Sequence, residues 1–149
     1  MTQNGTNEFP DVNENAKRGI SITFGMLDEL LCLFEQFANG RELHSVLYHE
    51  QNRLSTAQRK DVLEAVRRMR SIIMKVKETL RLEDKVEDVA SFILGHSSII
   101  WDDLLDTKSQ RLKRYGSIPQ TLKNYLDPNI DLVIKEINRL CNIFEKKQR

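Results

Sequence analysis

The sequence predicts an all-α protein, an up-and-down bundle of four main helices with one or two short accessory helices. Three observations lead there. Apolar residues recur at spacings of three and four through most of the 149 residues. Only three prolines and six glycines interrupt them. Two capping-box sequences, STAQ at 55–58 and SIPQ at 117–120, mark helix starts. The length suits one ordinary domain, so residues 13–149 are read as a single helical-bundle domain behind a flexible arm at 1–12.

The arm lacks periodic hydrophobicity and holds Asn, Thr, Gly and Pro, which leaves it nothing to pack. A first helix is expected over about 12–39, where Ile20, Phe24, Leu27, Leu31, Phe34 and Ala38 fall on one face and Gly40 is a natural stop. Met26, Leu30, Leu33 and Phe37 form a second stripe beside it. That arc is too wide for one neighbour to cover. Residues 41–54 sustain the pattern weakly, with Leu43, Val46 and Leu47, and predict a brief helix or an ordered crossover.

Ser55 and Gln58 then open a second helix, and Val62, Val66, Met69, Ile73, Val76 and Leu80 follow as a heptad-like seam. Leu82, Val86, Val89, Ile93, Ser97, Ile100 and Leu104 define a further seam, roughly opposite in phase to the last, so the chain must turn near 81–84. Asp84 with Glu87 is the expected cap of this third helix. Its additional apolar residues, Phe92, Leu94, Ile99, Trp101 and Leu105, predict the most buried helix. Lys108 and Arg111 occupy the next seam positions, so packing must loosen after Leu105. Gly116 ends the segment, SIPQ starts a short helix to Leu126, and Asp127 before Pro128 signals a last helix with its seam at Ile130, Val133, Ile134, Ile137, Leu140, Cys141 and Phe144.

Charge follows the same division. Net charge is −4 for residues 1–40, +5 for 41–81, −6 for 82–107 and +6 for 108–149, within a total of +1. Sequence neighbours therefore attract one another, while the near-neutral total argues against a dominant nucleic-acid or membrane field. No apolar run reaches the roughly 18 residues of a membrane span, and the polar, acidic start differs from a signal peptide. A cytoplasmic protein with Cys32 and Cys141 both reduced is expected.

Few constellations carry chemistry. Lys108, Arg111, Lys113 and Arg114 lie within seven residues with no acid among them, a candidate site for phosphate or an acidic partner. The competing reading is that they complement the carbonyl end of a helix near Gly116. Arg67, Arg68, Arg70, Lys75 and Lys77 spread around a whole helix and read as solvated surface. Asp84, Asp88, Asp102 and Asp106 lack the Glu-x-x-His partner of a bundle metal site, so no metal and no cofactor are expected. His96 sits at the edge of a seam without a surrounding phosphotransfer pattern. His44, His49 and the HEQNR that includes His49 lack the second histidine of a zinc-protease helix. No catalytic constellation can be picked out.

The apolar surplus carries the functional expectation. Leu132 and Ile143 fall opposite the last helix's seam, and Phe92 and Ile99 lie outside the third helix's seam. These four predict a non-catalytic, cytosolic helical-bundle interaction module that self-associates, as a dimer first, or docks a protein partner. The alternative is a nucleic-acid accessory protein using the basic segment 108–114.

Overall fold

A computed structural model describes residue 9 and residues 11–145; the expected arm over 1–12 lies largely outside the described residues. The protein is all-α. Four long helices, α1 (Glu14–Ala38), α2 (Thr56–Leu80), α3 (Val89–Thr107) and α5 (Gln120–Glu145), are joined by a short α4 (Ser109–Leu112) and a 3-10 turn (Lys113–Tyr115). The described residues contain no strand, only an isolated bridge between His44 and His49. The helices fall into two compact units, Met1–Lys85 and Val86–Arg149.

In the first unit α1 packs on α2. Asn13 caps α1 by accepting the N–H of Ala16 at 2.8 Å, and Gly40, at a φ of 98° that favours glycine, ends it. The predicted capping box opens α2: Gln58 N–H donates to Ser55 Oγ at 3.1 Å and Ser55 N–H donates to Gln58 Oε1 at 2.9 Å. The shared seam is the one the spacing predicts, with Leu31, Ala38 and Val66 buried at its centre. Phe34 departs from the seam and is 39% exposed. Opposite charges meet on α1, where Arg70 of α2 reaches Glu35 and Lys85, beyond the end of α2, reaches Glu29 at 3.3 Å.

Arg81 ends α2 in the left-handed region at φ 52°, the one non-glycine described residue with positive φ. Its N–H and that of Leu82 both return to the Lys77 carbonyl, closing the helix end. The turn comes where the phase break places it, but the next cap is not Asp84. Asp84 is held by Lys77 at 2.5 Å, and Asp88 caps α3 instead, accepting the N–H and the hydroxyl of Ser91, both at 2.9 Å. Those two bonds, the backbone one foremost, hold the Asp88 carboxyl below its ordinary range.

In the second unit α3 packs on α5. α3 is not the most buried helix: Ser97 is its one buried residue, and Val89 and Ile100 stay exposed. A single long helix packed against it covers one side of an apolar arc that runs most of the way round. α3 ends at Thr107, where the seam acquires Lys108, as the loosening after Leu105 predicts.

The C-terminal helix differs from expectation in a second way. There is no separate helix ending at Leu126; α5 is continuous from Gln120, with Pro119 before its first turn, its carbonyl accepting from Leu122 and Lys123, and Pro128 lies inside it. Asp127 does not start a helix of its own. Its carboxylate faces Ser109 and takes over the start of α4. Ile130 is the buried centre of the α5 seam.

Candidate interaction surfaces

Phe92 and Ile99 are seven residues apart on α3, and Leu132 and Ile143 eleven apart on α5, so each pair shares a helical stripe. All four are solvent-accessible, at 46%, 60%, 60% and 54%. The α5 pair lies about 160–180° from Ile134, which belongs to the inward seam. Tyr125, on the same stripe as Leu132, is also exposed. His96 lies beside Phe92, the two rings 4.0 Å apart between centroids, so its imidazole packs on an aromatic face.

The basic segment is only partly available. Lys108 pairs with Asp131 at 2.5 Å and Arg111 with Asp106 at 2.6 Å. Arg114 lies over the Tyr115 ring, 5.4 Å from its centroid. The four cations do not sit at the end of a long helix: they span the end of α3, the single turn of α4 and the 3-10 turn. Lys108 and Arg111 thus hold the local fold as much as they advertise charge.

Two apolar surfaces in the first unit add to these. Ile22, Met26 and Leu30 wind along the outer side of α1 and are 47–57% exposed. Of this group the wide arc read from sequence contains Met26 and Leu30; Ile22 follows by continuing the same stripe one turn back.

The second surface is the crossover at 41–54, which is ordered around one carboxylate. Glu50 accepts from Arg41 Nε and Nη2, both at 3.1 Å, from the N–H of Leu43 at 3.1 Å and from the Tyr48 hydroxyl at 2.8 Å. Burial pushes the Glu50 carboxyl up, but the bonds from Tyr48, Leu43 and Arg41 outweigh it and leave it below its ordinary range. The same contact raises the Tyr48 phenol. Asn52 ties the crossover back to α1 by donating to the carbonyls of Phe37 and Arg41 at 2.8 and 2.9 Å. The tip of this clasped turn is Val46 and Leu47, almost wholly in solvent. The segment is the ordered crossover of the two alternatives its weak periodicity allows, and spacing alone carries no signal that Val46 and Leu47 are displayed.

Both cysteines are free thiols, and the described residues contain no group of three or more His, Cys, Asp or Glu side chains arranged to hold a metal. No described helix is long and apolar enough to cross a membrane. No family model, no curated protein and no solved structure matches the chain.

Proposed function

We propose that the protein is a non-catalytic cytosolic interaction module that self-associates through the outer apolar faces of α3 and α5. The observation that carries this reading is the exposure of Phe92, Ile99, Leu132 and Ile143 on sides of their helices turned away from the intramolecular seam. Burying apolar surface is worth roughly 25 cal/mol per Å², and each of the two stripes offers an outward helical face to a second copy.

Light scattering coupled to gel filtration, across protein concentration, tests it. The expected result is a mass of twice the chain that falls to one chain in an Ile99→Glu, Leu132→Glu double variant with unchanged helicity. A monomer at every concentration rejects self-association. The nucleic-acid reading draws less support, since Lys108 and Arg111 already spend their charge on Asp131 and Asp106.

A further inference from the structure

His44 and His49 face each other directly across the crossover turn. The Ser45 N–H donates to the Tyr48 carbonyl at 2.9 Å and the Glu50 N–H donates to the Leu43 carbonyl at 2.8 Å. Those two bonds flank the histidines, which makes them a non-hydrogen-bonded antiparallel pair, the kind whose side chains approach most closely. Their ring centroids are 5.6 Å apart and the rings are inclined at 45°.

We propose that His44 and His49 chelate a divalent transition-metal ion of the zinc class. Imidazole nitrogen binds zinc at about 2.0–2.1 Å, which puts each ring centre about 3.2 Å from the ion and two such centres about 5.2 Å apart at a tetrahedral angle. The observed separation is within half an ångström of that. The backbone is already committed to this geometry by Glu50, so binding orders little beyond two ring torsions. Glu42 sits 3.4 Å from His44 Nε2, where its carboxylate orients the ring and leaves Nδ1 of His44 for the metal. Two protein nitrogens do not fill the shell, and water takes the remaining positions. Neutral nitrogen donors select zinc, copper or nickel over magnesium and calcium, which require oxygen. A bound ion closes the turn from the side opposite the Glu50 clasp and fixes the Val46–Leu47 tip.

Calorimetric titration of the full chain with zinc chloride tests this, in a Cys32→Ser, Cys141→Ser background so that thiols do not compete. One equivalent of zinc is expected to bind and magnesium chloride to give no heat. His44→Ala and His49→Ala are each expected to weaken binding at least about tenfold and Glu42→Gln about threefold or more. Nuclear magnetic resonance should show the His44 and His49 ring signals moving with zinc while His96 stays in place. The Ser45 and Glu50 amide signals report whether each variant keeps the turn. Absence of zinc uptake, undiminished affinity in either histidine variant with the turn intact, or movement of His96 in place of the pair overturns the proposal.

Discussion

The carboxylate of Asp127 accepts both hydrogen-bond donors of Ser109, its backbone N–H at 3.0 Å and its hydroxyl at 2.8 Å. Ser109 is 1% exposed, so this contact supplies a buried hydroxyl and the first N–H of α4 with the partner that water cannot reach. A residue inside α5 thereby caps a helix eighteen positions earlier.

The pH dependence of the second unit follows from this contact. The Ser109 backbone bond, then its hydroxyl, with Lys108 and Lys123 nearby, hold the Asp127 carboxyl below its ordinary range. A depressed folded-state value means the carboxylate stabilises the fold above its unfolded pKa, and that contribution drains away as pH falls through the folded value. Urea unfolding from pH 7 to pH 2 should therefore show wild type losing more stability below about pH 4 than Asp127→Asn does. Parallel pH profiles would contradict the assignment.

Ser109→Ala removes the buried hydroxyl and leaves a carboxylate oxygen short of one donor. A loss of about 1 kcal/mol is expected, read as an earlier urea midpoint at pH 7. A Ser109→Ala protein as stable as wild type would show the hydroxyl bond to be energetically silent.

Neighbouring leucines on α1 should behave very differently. Leu31 is wholly buried and Leu30 is 47% exposed. Leu31→Ala is expected to cost about 2–5 kcal/mol through lost burial and a residual cavity, and Leu30→Ala less than about 1 kcal/mol. Chemical denaturation of both variants checks the rotational setting of α1 on α2. Equal losses would place the seam elsewhere.

Pro128 provides a test of helix continuity. Inside a helix it deprives the Asn124 carbonyl of an N–H and costs about 3 kcal/mol against alanine, whereas at a first helical position it costs almost nothing. With α5 unbroken from Gln120 to Glu145, Pro128→Ala should raise the melting temperature and the helical circular dichroism together. No gain would indicate a fresh start at Asp127.

What the sequence reveals depends on how local each cause is. Helix periodicity and the Ser55–Gln58 box act within one or two turns, and α1, α2 and most of the seam residues are legible from spacing alone. The competition between caps is less so: Asp88 is fixed by a local bond from Ser91, three residues on, but Asp127 is a credible cap whose outcome turns on Ser109 arriving beside it in space. α3 is less buried than its composition suggests for a related reason: an apolar residue states that it can be covered, not that a neighbour exists to cover it. Phe92, Ile99, Leu132 and Ile143 were legible as outward from phase arithmetic. The clasped turn at 41–54 was not, since it is built by one glutamate collecting donors from Arg41, Leu43 and Tyr48.

The pairing of α1 with α2, and of α3 with α5, has a consequence for how the chain acquires its structure. Each long helix finds its mate in the next long helix, so the contacts are close in sequence and the loop-closure entropy paid before they form is small. At a translation rate of about 5–20 residues per second, α1 and α2 are complete for several seconds before the last helix has been synthesised. The first unit can fold vectorially, from the emerging end, with its seam closed before the second competes for it. In the first unit the alternation of charge then acts at the moment when it matters most, because the basic α2 emerges to find the acidic α1 already made.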